Sequence, residues 1–287
     1  MKKISYVVVA LSILTLSAFA QKSKKAEKSA ASVESKDSIV QITTDLGIIK
    51  VKLYNETPMH RDNFLKLVRE KTLDSTLFHR VISNFMIQGG DISSKHASPD
   101  AMLGNGDVGY TIPAEFNPKF YHKKGALAAA RQGDNVNPLK ASSGCQFYIV
   151  QGNKFAPSDL DALENRMNQQ AKQGLFQNII MRPENEALKN RFIANQQTQN
   201  QDSMNVLNAL AEAMTNAEAA KLAPFKYSEE QRNAYTTVGG TPHLDGGYTV
   251  FGEVIEGLDI VDKIAAVEKG ANDRPKQDIR MYCKIIH

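Results

Sequence analysis

Residues 78–91, with the sequence FHRVISNFMIQGGD, constrain the fold more than any other segment of this chain. They alternate apolar and polar side chains, a pattern typical of a strand with one buried face. Yet Arg80 and Gln88 stand among aromatic and aliphatic neighbours, where a polar group must find a hydrogen-bond partner. An apolar pocket with a few fixed polar groups is the usual composition of a small-ligand or peptide site. The segment therefore predicts strands that also line a binding pocket.

Similar alternating runs recur along the chain and predict a mostly β fold. They cover residues 39–44, 48–54, 77–82, 85–88, 126–130, 146–150, 250–254 and 278–286. The first two are separated by Asp45-Leu46-Gly47, which indicates a hairpin turn. One helix is predicted to begin at Pro58 with Thr57 as its N-cap, and a second covers 258–266. Many strands with two helices predict a closed or nearly closed antiparallel barrel with helices at its ends.

Residues 155–235 break the strand pattern, because they are helical in periodicity and rich in Gln, Asn, Ala and Met. Ser158 is a candidate N-cap of one helix, whose apolar stripe consists of Leu160, Leu163 and Met167. A second helix is predicted from the apolar stripe of Leu207, Leu210 and Met214. Residues 228–231, Ser-Glu-Glu-Gln, form a capping-box sequence. We interpret this segment as a helical insertion in a loop of the barrel, with its apolar stripes packed inside the insertion.

The first 37 residues are predicted to lie outside the folded domain, which we place at 38–287. Residues 1–20 have a basic start, a short apolar stretch and a small-x-small ending at Ala20, typical of a cleaved signal peptide. The apolar stretch is shorter than the roughly 20 residues of a membrane span. Residues 21–37 are Lys, Ser, Ala and Glu, which predicts a flexible tether. We expect an exported protein, in the periplasm if the host is Gram-negative.

The net charge of +4 comes from this N-terminal part. Seven of the 35 basic residues and three of the 31 acidic residues lie before residue 38, which leaves 28 of each in the predicted domain. A nucleic-acid-binding domain needs a basic stripe of its own, so nucleic acid is not an expected partner. Cys145 and Cys283 are the only cysteines, compatible with one disulfide or with two packed thiols. Neither has the spacing of a redox pair or a zinc site.

Further polar residues are candidates for the same pocket as Arg80. That arginine is either a rim residue paired with a carboxylate or a planar donor facing a peptide carbonyl. Because His79 precedes it in the predicted strand, His79 points to the opposite face. Gln146 and Tyr148 alternate on another strand and share a face. Residues 241–248 contain an Asp-Gly turn signal and are either a plain hairpin loop or a wall of the pocket.

Three blocks of this sequence resemble the cyclophilin-type peptidyl-prolyl cis-trans isomerases. They are residues 78–91, residues 143–150 and residues 241–264, the last with the sequence Val-Phe-Gly-Glu-Val at 250–254. The resemblance covers 38–152 and 238–287 and is closer to bacterial members than to eukaryotic ones. It implies a closed, eight-stranded antiparallel barrel capped by two helices, with the helical segment inserted.

The resemblance also implies roles for individual residues. Arg80 resembles the catalytic arginine, and Gln88 and Gln146 resemble the amides that hold it and the peptide backbone. The remaining candidates resemble residues that bind the substrate, namely His79, Phe85, Met86, Ala130, Arg131, Tyr148, His243, Leu244 and Tyr248. Arg131 stands where the family usually has Asn, so only a backbone role carries over there. His243 replaces a residue that helps to bind cyclosporin-type inhibitors, so weak inhibition is expected.

The expected function is rotation about X–Pro peptide bonds, without metal or cofactor, to assist the folding of exported proteins. Proline-containing polypeptides are the expected partners, and no membrane span is expected after signal cleavage. Two alternatives remain open at this point. One is a module that binds proline-containing segments without turnover, and the other is a holdase chaperone that acts through the insertion. A hydrolase is disfavoured because no Ser or Cys nucleophile stands in a recognisable motif.

Overall fold

The structure, a computed structural model, describes residues 38–287, so the predicted signal peptide and tether lie outside the described residues. The strands are β1 (Ser38–Thr44), β2 (Gly47–Leu53), β3 (Arg80–Ile82), β4 (Met86–Gly89), β5 (Thr111–Ile112), β6 (Ala126–Ala129), β7 (Ser142–Ser143), β8 (Phe147–Val150), β9 (Val250–Glu256) and β10 (Tyr282–Ile285). The α-helices are α1 (Pro58–Arg69), α2 (Pro157–Met181), α3 (Glu186–Gln197), α4 (Gln201–Ala219), α5 (Glu229–Thr237) and α6 (Leu258–Ala265).

Eight of the strands form one curled antiparallel sheet in the order β10-β1-β2-β9-β6-β8-β4-β3. The prediction of a closed barrel is wrong, because this sheet is open between β10 and β3. Within the predicted runs 77–82 and 278–286, only Arg80–Ile82 and Tyr282–Ile285 form strands. These two strands are too short to pair with each other and close the barrel. An isolated bridge between Leu77 and Arg280 connects the two edges instead. The mostly β, cyclophilin-like architecture is otherwise as expected.

The main hydrophobic core lies between the curled sheet, α1 and α6. Phe64 of α1 contacts Phe147 of β8 edge-on at 5.2 Å and Phe251 of β9 at 5.5 Å between ring centroids. Thr57 is the N-cap residue of α1 and Pro58 its first residue, although the Thr57 side chain makes no capping hydrogen bond. Cys145 and Cys283 are buried in this core as free thiols, so the packed-thiol alternative holds.

Helices α2 to α5 lie between β8 and β9, in the segment that we interpreted as an insertion. Leu207 and Ala211 of α4 are buried with Leu188 of α3 and form a small core of their own. Ser228 caps α5 through the predicted capping box with Gln231. Two details differ from expectation. Helix α2 begins at Pro157 with Ala156 as its N-cap, so Ser158 lies inside the first turn, and Leu210 is 46% exposed.

A second small core attaches this helical segment to the sheet. Leu160 of α2, Tyr227 and Tyr235 are buried against Tyr121, which precedes β6, with Leu163 and Met167 packed at the edge. The two tyrosines of the helical segment contact each other edge-on at 5.6 Å between ring centroids. The helices are therefore anchored beside the loop that leads into β6 and beside the loop 241–248 that leads into β9.

Candidate active site

The catalytic candidates Arg80 and Gln88 face each other across the short hairpin of β3 and β4. The turn between the strands contains Asn84 at φ 63°, a left-handed conformation that asparagine tolerates better than most residues. This turn puts Arg80 directly opposite Gln88 in the strand register. The Arg80 guanidinium donates to Gln88 Oε1 through Nη1 at 3.4 Å. The local sequence thus fixes the position of the guanidinium relative to the sheet.

A chain of amides holds Gln88 in turn. Gln88 Nε2 donates to Gln146 Oε1 at 3.1 Å. Gln146 Nε2 donates to the backbone carbonyls of Gly104 and Gly106 at 2.9 and 2.8 Å. Because each amide nitrogen can only donate, the Gln88 oxygen is left to accept from Arg80. The predicted role of the two glutamines as supports of Arg80 therefore matches their hydrogen bonds.

Beside Arg80 the sheet surface opens into a small pocket with a cavity volume of about 110 Å³. We call it the proline pocket, after the ligand that the family resemblance leads us to expect. Nine of the twelve predicted site residues line it: Arg80, Phe85, Met86, Gln88, Ala130, Arg131, Tyr148, Leu244 and Tyr248. Met86 and Tyr148 are buried and form its floor. A volume of this size suits one compact side chain rather than a drug-sized molecule.

A larger cavity, of about 1000 Å³, also borders Arg80 and Gln88 and shares Arg131 with the proline pocket. Arg80 Nε lies 3.8 Å from Asp273 Oδ2, and both side chains are more than two-fifths exposed. An ion pair at that distance and exposure contributes little. The Arg80 guanidinium is therefore held mainly by Gln88 and remains accessible to a ligand in either cavity.

The other three predicted site residues do not line the proline pocket. Gln146 acts behind Gln88, as described above. His243 stacks on Phe85, which lines the pocket, with 5.7 Å between ring centroids, and burial lowers the pKa of His243. His79 borders the larger cavity but is itself 3% exposed. Within residues 38–287, neither ring nitrogen of His79 makes a hydrogen bond, and burial lowers its pKa, so the ring is neutral at pH 7.

Arg131 supports the far wall of the pocket. Its Nε donates to the backbone carbonyl of Gly247 at 2.6 Å. Its guanidinium lies over the ring of Tyr248, 4.5 Å from the centroid, a cation–π arrangement. Nη1 lies 2.6 Å from Asp134 Oδ1. The side chain thus ties the end of β6 to the loop 241–248, which is a role beyond the backbone one that the resemblance implied.

One buried network under the pocket was not anticipated from the sequence. The Tyr148 hydroxyl lies 2.9 Å from His122 Nε2, and His122 Nδ1 lies 2.8 Å from Asp245 Oδ1. A carboxylate only accepts, so Nδ1 of His122 carries a proton, and Nε2 shares the second hydrogen bond with the Tyr148 hydroxyl. Asp245 Oδ2 accepts from the hydroxyl of Tyr235 at 2.5 Å. Burial raises the pKa of Tyr148 well above its ordinary value, so its hydroxyl remains protonated.

This network connects the pocket floor, the loop 241–248 and helix α5 of the helical segment. The sequence signal at Asp245 was a turn, because Asp-Gly is a common turn pair, and nothing local marked His122 or Tyr235 as its partners. Asp91 was likewise missed, although it ends the most informative segment. Its carboxylate accepts from the backbone N–H of Ser93 at 2.8 Å and from that of Gly104, which orders the loop that receives Gln146.

Two other classes of site have no candidate among the described residues. Within 38–287, no group of three or more His, Cys, Asp or Glu side chains is placed to hold a metal ion. In the same range, no helix has the length and apolar character needed to cross a bilayer.

The family model for cyclophilin-type peptidyl-prolyl cis-trans isomerases matches residues 39–225 and 228–285. A putative peptidyl-prolyl cis-trans isomerase of Staphylococcus epidermidis is 29% identical over 241 residues, covering 84% of this chain and 87% of that protein. A putative bifunctional phosphatase/peptidyl-prolyl cis-trans isomerase of Streptococcus pyogenes is 28% identical over 251 residues. That match covers 84% of this chain but 37% of the longer protein.

A crystal structure of a Cryptosporidium parvum cyclophilin-type isomerase is similar in fold, with a TM-score of 0.50 and 18% identity. The match covers 88% of this chain and 98% of that structure. The fold of this chain is therefore cyclophilin-like, with the apolar pocket and the Arg80 guanidinium on its sheet. The chain belongs to the cyclophilin-type peptidyl-prolyl cis-trans isomerases. The predicted family and enzyme class are confirmed, and neither the binding module nor the holdase is favoured.

Proposed function

We propose that this enzyme accelerates rotation about X–Pro bonds of exported polypeptides, with Arg80 as the catalytic group. The observation that carries this proposal is the position of Arg80, fixed by Gln88 at the mouth of an apolar pocket of about 110 Å³. Phe85, Met86 and Leu244 give the pocket the apolar surface that a proline ring needs. Proline-containing polypeptides are the proposed substrates, and neither metal nor cofactor has a step in the mechanism.

The mechanism follows from the electronic structure of the peptide bond. Rotation has a barrier of about 18–20 kcal/mol because resonance gives the C–N bond double-bond character. In the twisted state the proline nitrogen becomes pyramidal and gains a lone pair. A guanidinium close to that nitrogen stabilises the twisted state more than either planar isomer, which is the requirement for catalysis. Apolar walls exclude water and strengthen this electrostatic effect.

The other site residues have supporting roles in this proposal. Phe85, Met86, Tyr148 and Leu244 grip the proline ring, and Tyr248 closes the far wall. The backbone N–H of Ala130 donates to the Gln146 carbonyl and its carbonyl accepts from the Ser143 N–H, so Ala130 contributes a small apolar side chain to the pocket wall rather than backbone pairing. Gln88 and Gln146 position the guanidinium, while His79 and His243 support the strand and Phe85 from outside the pocket.

The experiment is NMR exchange spectroscopy on an Ala-Pro peptide with wild-type protein and the Arg80→Ala variant. We expect a loss of about one to three decades in kcat/KM, which matches removal of a transition-state donor. Far-UV circular dichroism and the unfolding midpoint should be unchanged, because Arg80 is exposed. A variant as active as the wild type would remove Arg80 from the mechanism. A wild-type protein without turnover would refute the enzyme function itself.

We further propose that the protein is exported from the cytoplasm, to the periplasm if its host is Gram-negative. The support is the leader-like sequence of residues 1–20, ending in Ser17-Ala18-Phe19-Ala20. The test is mass spectrometry of the protein recovered from fractionated cells of its natural host. Export predicts a mature chain that begins at Gln21 in the extracytoplasmic fraction. A full-length chain in the cytoplasm would contradict the proposal.

A further inference from the structure

A third cavity, of about 450 Å³, lies directly beside the proline pocket, because Tyr248 lines both. We call it the aromatic groove, after the residues that form its apolar wall: Phe116, Phe120, Tyr121, Phe225, Tyr248 and Val250. Five of these lie outside the helical segment, while Phe225 belongs to the helical segment between β8 and β9. Lys226, Ser228 and Gln231 of the same segment complete that side of the groove.

The aromatic groove and the proline pocket share one residue as a common wall. Tyr248 lines both cavities, and Arg131 holds its ring in place from above at 4.5 Å. Asp245 and Gly246, at the floor of the groove, belong to the same loop as Leu244 of the proline pocket. A polypeptide with its proline in the pocket therefore continues past Tyr248 within reach of the groove. The two cavities together form one extended surface for a single chain.

The walls of the groove are fixed before any ligand arrives. Asn168 of α2 clamps the backbone of Phe225, because its Oδ1 accepts from the Phe225 N–H at 2.7 Å and its Nδ2 donates to the Phe225 carbonyl at 3.0 Å. The ring of Phe225 packs edge-on against Tyr227 at 4.9 Å. On the opposite side, Phe120 stacks on Tyr54 at 3.9 Å. A preformed groove binds without the cost of ordering its side chains.

We propose that the aromatic groove is a subsite for an aromatic or large aliphatic side chain of the polypeptide whose proline occupies the proline pocket. This inference rests on the proposed function and extends it to substrate selection. The groove is about four times larger than the proline pocket and is mostly apolar, so it suits a bulkier side chain. Since Phe225 comes from the helical segment, that segment acts as a specificity element for the enzyme's substrates.

The experiment compares peptides that differ at one position. Each peptide is a dodecapeptide with one proline and otherwise small polar residues. In each peptide of the series, a single Phe stands at a different position, from four residues before to four residues after the proline. A matched peptide has Ser in place of that Phe. Exchange spectroscopy gives kcat and KM, and NMR titration gives Kd independently of turnover. We expect Phe at one or two positions to lower KM and Kd about tenfold, the effect of burying one large apolar side chain.

The variants Phe116→Ala and Phe225→Ala should abolish this preference while turnover of a short Ala-Pro tetrapeptide remains unchanged. Phe116 is 43% exposed, so its replacement spares the fold even if Phe225→Ala does not. Leu222→Ala is the matched control, because Leu222 is 64% exposed on the same segment and does not line the groove. Equal KM and Kd for every Phe and Ser pair, or a preference that survives Phe116→Ala, would overturn the inference.

The assay separates failure of this inference from failure of the proposed function. If the short tetrapeptide is turned over but Phe brings no gain at any position, the subsite is absent and the isomerase function stands. If no peptide is turned over, the isomerase function fails, and the titrations still decide the subsite. In that case, the subsite is supported if Phe peptides have a lower Kd than their Ser counterparts and the difference disappears in Phe116→Ala. Equal Kd values for the Phe and Ser peptides refute the subsite.

Discussion

The hydroxyl of Tyr148 lies 2.9 Å from Nε2 of His122 beneath the floor of the proline pocket. His122 is 1% exposed, so its ring nitrogen has no access to water as an alternative partner. The same ring is bonded to Asp245, which receives the hydroxyl of Tyr235 from helix α5. The pocket floor and the helical segment are therefore connected by three consecutive side-chain hydrogen bonds.

The first prediction concerns this network. Tyr148→Phe keeps the ring that faces the pocket but leaves His122 Nε2 buried without a partner. We expect the free energy of unfolding to fall by about 1–3 kcal/mol, the cost of one unsatisfied buried polar group. Activity on a short Ala-Pro peptide should change by less than about threefold, since the aromatic ring at position 148 still forms the floor of the proline pocket. Urea denaturation and exchange spectroscopy measure the two effects. Tyr282→Phe is the matched control, because Tyr282 is 49% exposed.

The second prediction separates charge from geometry at Arg80. Arg80→Lys keeps the positive charge but loses the planar set of donors. We expect a loss of kcat of at least about tenfold with KM little changed, because the lost interaction is made only in the transition state. His79→Ala should have a smaller effect on kcat than Arg80→Ala, since His79 does not line the pocket. Equal losses for His79→Ala and Arg80→Ala would contradict this ordering.

The third prediction tests whether Gln88 acts through Arg80. Gln88→Met has a similar shape but cannot accept from Arg80 Nη1 or donate to Gln146. We expect kcat/KM to fall about tenfold through a misplaced guanidinium. In the double variant with Arg80→Ala, the substitution at Gln88 should cost almost nothing more, because both residues act as one unit. Additive losses in the kinetic double-mutant cycle would assign Gln88 an independent role.

The fourth prediction is a pH dependence of stability caused by His79. Burial lowers the pKa of His79 in the folded protein below its ordinary value of 6.5. As the pH falls below about 6.5, the unfolded chain therefore binds a proton at His79 that the folded chain does not bind. The unfolded state then gains stability, and the free energy of unfolding falls by up to about 1.4 kcal/mol per pH unit for this one group. The loss begins near pH 6.5 and continues down to the folded pKa.

Urea denaturation between pH 7.5 and 5 measures this slope. His60 and His243 also have pKa values lowered by burial, so they contribute slopes of the same sign. The variant His79→Leu removes only the contribution of His79 and should flatten the profile by up to about 1.4 kcal/mol per pH unit. A variant with the same profile as the wild type would show that His79 titrates normally in the folded protein.

Most of the strands follow from local sequence patterns, and the same patterns led to Arg80 and Gln88 as catalytic candidates. Alternation and turn residues are local properties, so the hairpin of β1 and β2 and the capping box at Ser228 were predictable to within a few residues. The segment 78–91 likewise determined that Arg80 and Gln88 share a hairpin, because two short strands and one turn fix their register.

Tertiary structure alone decided the contacts between distant segments. Whether the sheet closes depends on the lengths of β3 and β10, which lie about 200 residues apart in the chain and whose ends no local pattern marks. The links from Tyr148 to His122 and from Asp245 to Tyr235 join strand β8, two separate loops and helix α5. Hydrogen bonds of this kind depend on side-chain positions in space, and hydrophobic periodicity contains no information about them. The same holds for the aromatic groove, whose walls meet only after the helical segment has packed against the sheet.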